Sequence, residues 1–145
     1  MSIRELGIED IPALLPLYLD WYNGHEGSCW SQETASKRIR QVLTMEDAWG
    51  LVLEEDIGLV GFAMGYFKQY DDIVGYTLEE IVIAGDRQGQ GLGTLLLGEL
   101  EKLVREKGAS CVELQAVADE MHEYWYGKAG YKNAKNYVMK VKWLE

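Results

Sequence analysis

At 145 residues and 48% apolar content the chain has the length of one domain, enough for a core without disulfide or metal staples. Fourteen basic against twenty-four acidic side chains give a net charge of −10, which argues against a nucleic-acid partner, because phosphate backbones need clustered Lys and Arg. No stretch is apolar and long enough to span a membrane, and Met1 to Leu6 lacks the layout of a secretory signal, so a cytoplasmic, single-domain protein over 1–145 is expected.

Met1 to Leu6 reads as an opening strand. Glu9-Asp10-Ile11-Pro12 marks a helix start, and apolar residues at 14, 15, 17, 18 and 21 give that helix its stripe, with Pro16 placed to bend or shorten it. Gly24 and Gly27 break the chain before Ser31, which can cap a second helix running to about Met45 through Ile39, Val42 and Leu43. Trp49 to Glu54 and Leu59 to Phe67 form a predicted hairpin around Glu55-Asp56-Ile57-Gly58. A turn at Tyr70-Asp71-Asp72-Ile73 leads into a central strand over Tyr76 to Ile83.

Leu92, Leu96, Leu100 and Leu103 recur at helical spacing, and Gly108 beside Lys107 ends that helix. Ser110 to Val117 is the next strand, where Cys111 reads as a buried free thiol; neither it nor Cys29 has metal-ligand spacing. Asp119 can cap a short helix that Gly130 ends, and Asn136 to Trp143 alternates as a final strand would. Strands interrupted by helices imply a mixed sheet with helices on its faces.

The densest chemical signal is Gln88-Gly89-Gln90-Gly91-Leu92-Gly93-Thr94, between the central strand and the third helix. Glycine permits backbone conformations closed to other residues and removes side chains that would hold a ligand off the main chain. At the start of a helix, unpaired N–H groups and the positive end of the dipole then point at one spot, which suits a phosphate or pyrophosphate. A Walker-type loop is excluded because no lysine follows any of these glycines, and the dinucleotide fingerprint needs a different glycine spacing in an N-terminal βαβ unit. The remaining alternative is a glycine-rich turn that binds nothing.

The pattern that fits is Gln-x-x-Gly-x-Gly, met by Gln88, Gly91 and Gly93 after a strand ending in Ile81-Val82-Ile83. It resembles the pyrophosphate-binding motif of the GNAT superfamily of N-acetyltransferases, whose co-substrate is acetyl-CoA. The segment Leu51 to Phe62 looks like that family's second and third strands, and Tyr126-Gly127-Lys128-Ala129-Gly130-Tyr131 like its late Tyr-x-Lys-x-Gly-Phe element, with tyrosine replacing phenylalanine. The resemblance implies an α/β fold with a mixed, mostly antiparallel sheet of about six or seven strands, about four helices and splayed central strands.

It further implies that the strands Thr77 to Ile83 and Ser110 to Val117 part at one end to admit the pantetheine arm. Backbone groups near Ile81, Val82 and Ile83 would pair with its amides, and N–H groups from Gln88, Gly89, Gln90, Gly91, Leu92, Gly93 and Thr94 would hold the pyrophosphate. Arg87 and Lys128 are candidate phosphate partners, with ordinary surface charges as the competing reading.

An alkylamine with a pKa of about 10 must lose a proton before attack, and Glu79 and Glu80 are the ionisable groups on the central strand. Strand alternation puts Thr77, Glu79, Ile81 and Ile83 on one face and Leu78, Glu80 and Val82 on the other, so only one glutamate is expected to face the acceptor. Glu79 is preferred because it matches in position an acidic residue of some aminoglycoside-type relatives; a solvated pair at a strand edge is the alternative. Tyr126 matches the family tyrosine that protonates the departing thiolate, against a purely packing role.

Trp21, Tyr22, His25, Glu26 and Trp30 form an aromatic and acidic cluster in the region that, in the family, borders the acceptor; cation-π contact can hold an ammonium there, unless these residues only pack. Residues 1 to 75 hold five basic and thirteen acidic side chains, a field that favours a cationic acceptor or simply solubility. The expected activity is acetyl transfer from acetyl-CoA to a primary amine in a ternary complex, without a metal. The rivals are an acyl-CoA-binding sensor that has lost turnover and a nucleotide-binding protein. Exposed strand edges also permit a homodimer.

Overall fold

A computed structural model describes residues 1–145. The chain divides into two compact units, Met1–Leu114 and Gln115–Glu145, and each is described by itself.

In the first unit, five strands lie in sequence order: β1 (Ser2–Glu5), β2 (Ala48–Glu55), β3 (Gly58–Gln69), β4 (Val74–Ile83) and β5 (Cys111–Leu114). All neighbours are antiparallel except β4 and β5, which run parallel. Helices α1 (Ile11–Gly24) and α2 (Gln32–Leu43) cover one face, where Leu14, Tyr18, Ala35, Ile39 and Val42 close a core on Val52, Phe62, Met64 and Val82. Helix α3 (Leu92–Glu106) lies along β2, β3 and β4 and buries Leu96, Leu97, Leu100 and Val104. Strand alternation turns Leu51, Leu53 and Ala63 to that second face.

Local chemistry explains the helix ends. Ser31 accepts the Thr34 N–H at 3.0 Å while Thr34 Oγ1 accepts the Ser31 N–H at 2.9 Å, a reciprocal cap that starts α2 one residue after Ser31. Pro16 does not shorten α1, which continues to Gly24. At its start, buried Asp10 accepts two bonds from the Arg4 guanidinium, at 2.8 and 3.0 Å, and one from the Gly7 N–H at 2.9 Å. These donors hold its carboxyl below the usual range, the Arg4 bonds most strongly.

The sheet has two register shifts, one between β2 and β3 and one between β3 and β4. Pairing of β3 with β4 steps from Met64↔Glu80 to Gly65↔Leu78, so Glu79 is an extra residue, a β-bulge. Before it, Tyr76 packs with Trp49 and Phe67 on the α3 face; after it, Val82 belongs to the α1/α2 core. The bulge therefore switches which face each residue parity occupies. Pairing of β4 with β5 ends at Leu78↔Leu114, while β4 runs on to Ile83, so the two strands part where the bulge begins.

The second unit holds α4 (Glu120–Lys128), started by Asp119, which accepts the His122 N–H at 2.8 Å and the His122 Nδ1–H at 2.7 Å. Two expectations are corrected. The strand predicted over Asn136 to Trp143 does not form, leaving five strands rather than six or seven: alternation supplies a suitable side-chain pattern, but a strand also needs a hydrogen-bonded neighbour, and residues 136–143 are exposed without one. Cys111 is exposed rather than buried, because β5 is the last strand of the sheet. No helix is long and apolar enough to cross a membrane.

A Cβ built on Gly65 would stand 1.9 Å from the Thr77 carbonyl oxygen, so the bulge requires glycine opposite it. Gly65→Ala is expected to destabilise the chain by about 3 kcal/mol, at the upper end of overpacking costs, as β3 and β4 are forced apart. The urea unfolding midpoint measures this, and an unchanged midpoint would show that the strands yield freely.

Candidate active site

The bulge breaks the strand alternation expected to place Glu79 and Glu80 on opposite faces. Arg38, on α2, lies with Nη1 3.7 Å from Glu79 Oε1 and Nη2 3.6 Å from Glu80 Oε2. Regular alternation would have sent the two carboxylates to opposite faces; the extra residue brings both toward one guanidinium. Their surroundings differ. The Glu79 side chain is 29% exposed and that of Glu80 only 10%.

Burial pushes the Glu80 carboxyl above the ordinary glutamate range, against opposing hydrogen bonds from Tyr22 and Tyr18 and the Arg38 charge. Tyr18 is itself held well above the usual phenol range, first by burial and then by the Glu80 charge. Tyr22 thus joins the glutamates, and Trp30 reaches them indirectly, edge-on to Tyr18 at 5.2 Å. Asn23 fixes Trp30 by a reciprocal pair of 2.8 Å bonds, Nδ2 donating to the Trp30 carbonyl and the Trp30 N–H donating to Oδ1. Trp21 and His25 stack on each other at 4.6 Å, and His25 faces Gly85, where a Cβ would meet its Cε1 at 3.0 Å. Glu26 is exposed in the same loop.

Further along the sheet, Glu113 on β5 accepts Tyr70 Oη at 2.6 Å and Thr77 Oγ1 at 2.9 Å, with Lys68 Nζ 3.7 Å away. Burial pushes its carboxyl up, but those two bonds and the Lys68 charge outweigh burial and leave it low. Glu113 pairs across from Thr77, which stands three residues before Glu80 on β4.

At the far end of β4, Gly89 and Gly91 adopt φ values of 76° and 77°, the left-handed region, and a Cβ at either would meet nothing within 4 Å. Glycine serves there for its torsion angles and for the open space in front. Gly91 is the N-cap of α3 and no side chain caps that helix, so its first N–H groups are offered outward. The loop is braced from behind: Gln88 Nε2 donates to the Ile83 carbonyl at 2.7 Å. Arg87, a candidate phosphate partner, contacts Glu55 at the end of β2 and donates from Nε to Gln90 Oε1 at 3.2 Å. Ile81 and Ile83 fall on the α3 side of β4 beside Ala63 and Gly61, while Val82 lies in the opposite core.

In the second unit, Tyr126 on α4 is half-buried, edge-on to Trp125 at 4.8 Å and to Tyr131 at 5.7 Å. Lys128 is exposed, its ammonium 5.4 Å from the Tyr124 ring centroid.

The structure thus combines a mixed sheet, irregular in register between β2 and β3 and between β3 and β4, with a helix that starts at a left-handed glycine without a side-chain cap. The family model for the acetyltransferase (GNAT) family matches residues 12–131, and the chain belongs to that family. It is 27% identical over 120 residues to an L-methionine sulfoximine/L-methionine sulfone acetyltransferase of Pseudomonas aeruginosa, across 74% of this chain and 65% of that protein. The chain thus spans somewhat under two thirds of the length of the curated relatives it matches.

Among solved structures, it resembles a ribosomal-protein-alanine N-acetyltransferase from Brucella melitensis biovar Abortus 2308 with a TM-score of 0.75 and 20% identity, covering 99% of this chain and 100% of the other. An aminoglycoside acetyltransferase from an uncultured soil metagenomic sample gives a TM-score of 0.71 at 18% identity, covering 99% and 95%.

Arg38 and Tyr18 were not singled out from the sequence. The signal available was position: Arg38 stands three residues after Ala35 and four before Val42, at the margin of the buried stripe of α2.

Because the folded-state pKa of Glu80 is raised, its ionised form costs stability once pH exceeds the ordinary glutamate value of 4.5. Glu80→Gln mimics the neutral acid. It is expected to match the wild type near pH 4 and to gain relative stability as pH rises through the folded pKa. Thermal unfolding from pH 4 to 8 tests the sign, and a gain confined to low pH would contradict it.

Proposed function

We propose that this chain transfers an acetyl group from acetyl-CoA to a primary amine. The observation that carries the reading is the N-terminus of α3, where left-handed Gly89 and Gly91 open the space before an uncapped helix end. Anions are held at such ends by unpaired N–H groups and the helix dipole, and the glycines let a diphosphate reach the main chain. The residues present fit the coenzyme: Gln88 to Thr94 would hold its diphosphate, and the unpaired stretch of β4 at Ile81 to Ile83 would pair with its pantetheine amides.

When bound, the coenzyme supplies the thioester carbonyl that an amine attacks. This chain's part is to deliver that amine neutral. An aliphatic ammonium with a pKa of about 10 is almost wholly protonated at pH 7. Glu79, the more exposed of the pair, accepts the proton directly or through a water, while Glu80 is held by Tyr18, Tyr22 and Arg38 behind it. A backbone N–H of the bulged strand would steady negative charge on the carbonyl oxygen without reorganising.

Tyr126, matched through the family's late tyrosine element, is proposed as the donor of a proton to the departing thiolate. Trp21, Tyr22, His25, Glu26 and Trp30 are proposed to border the acceptor. Relatives named for a methionine derivative, a ribosomal-protein alanine and an aminoglycoside support an amine acceptor and leave its size open.

Free CoA thiol, followed with amino acids including L-methionine sulfone, aminoglycosides, polyamines and peptide N-termini, tests the reading. Release above the hydrolysis background with at least one amine is expected. Glu79→Gln is expected to lower kcat/KM by about 10²- to 10⁴-fold, the range for a lost general base. Gly91→Val is expected to weaken coenzyme binding by calorimetry. Tight coenzyme binding with no transfer to any acceptor would point instead to a binding module without turnover.

A further inference from the structure

We propose that Arg38 is a positioning residue for the glutamate pair, its guanidinium holding the carboxylates of Glu79 and Glu80 side by side on the α1/α2 face; this rests on the reading of Glu79 as the proton acceptor. Two different nitrogens address two different carboxylates, Nη1 to Glu79 at 3.7 Å and Nη2 to Glu80 at 3.6 Å. The planar fork of arginine suits this; the single point charge of lysine does not reproduce it. Adjacent carboxylates repel, and in a half-buried setting one of them protonates unless a cation stands between them.

The other groups facing the pair cannot supply that cation. Tyr18 and Tyr22 on α1 are neutral hydrogen-bond donors to Glu80, and Met64 lies directly across on β3. On β5, across from Thr77, stands Glu113, another carboxylate, with Lys68 of β3 already beside it. Arg38 of α2 is thus the cation that faces both glutamates, which the same bulge turns toward one side. Its side chain is 29% exposed, so replacing it leaves Ala35, Ile39 and Val42 to hold α2 on the sheet.

The test is a carboxyl-carbon NMR titration of protein carrying ¹³C-labelled glutamate, with the two resonances assigned from Glu79→Gln and Glu80→Gln. In Arg38→Met the Glu80 midpoint is expected to rise by about one pH unit or more, the effect of losing an opposite charge at this range. Arg38→Lys is expected to recover part of the shift and little of the rate, since charge returns without the fork. In parallel, the acid limb of kcat/KM moves to higher pH in Arg38→Met.

A Glu80 midpoint in Arg38→Met that coincides with the wild type, or a rate lowered equally at every pH with the limb in place, would overturn the proposal. If no amine is acetylated at all, the reading of the activity fails, while the titration still decides whether Arg38 governs the pair.

Discussion

Much of the candidate site depends on one extra residue in β4. Opposite Gly65 the strand takes in Glu79 without a partner, and this local slip does three things. It lets Tyr76 and Leu78 finish the core under α3 while Val82 finishes the core under α1 and α2. It swings Glu79 toward the side that Glu80 occupies, so that neighbouring carboxylates meet one arginine. It also coincides with the end of pairing to β5, which leaves the backbone from Glu79 to Ile83 without a neighbour on that side. A regular strand would give none of these, because successive side chains would point apart and the ladder would continue.

The other end of β4 solves a different problem, holding bare backbone N–H groups outward in a protein of net charge −10. A long-range negative field disfavours an anion, so attraction must come from groups close to it, which screening and distance affect least. Under the proposed function, the uncapped end of α3 would provide such groups. Its loop is kept in shape from behind by Gln88 on the Ile83 carbonyl and by Arg87 on Glu55 and Gln90. Arg87 thus braces the loop that carries Gly89 and Gly91.

How far the sequence anticipated this follows the range of each interaction. Left-handed torsion at Gly89 and Gly91, the cap at Ser31 and the cap at Asp119 depend on a few neighbouring residues, and each is where local patterning placed it. The bulge depends on which residue of β3 lies opposite which residue of β4, a matter of register that no period in β4 alone can encode. Arg38 was missed for the same reason, since its partners lie some forty residues away along the chain. The apolar alternation from Asn136 to Trp143 misled because it describes a surface a strand could bury, without supplying the neighbour that would make it one.

The unequal settings of the two glutamates bear on how a proton could move. A group that cycles between ionised and neutral forms needs access to water or substrate to exchange its proton, and needs its charged form to be affordable near neutral pH. Glu79 has the greater exposure and the looser surroundings. Glu80 is bonded by two tyrosines in a nearly buried place that resists ionisation, and moving its carboxylate would strand their hydroxyls. Under the proposed role of Glu79 as proton acceptor, exchange there with Glu80 as a fixed anchor would disturb the fewest contacts.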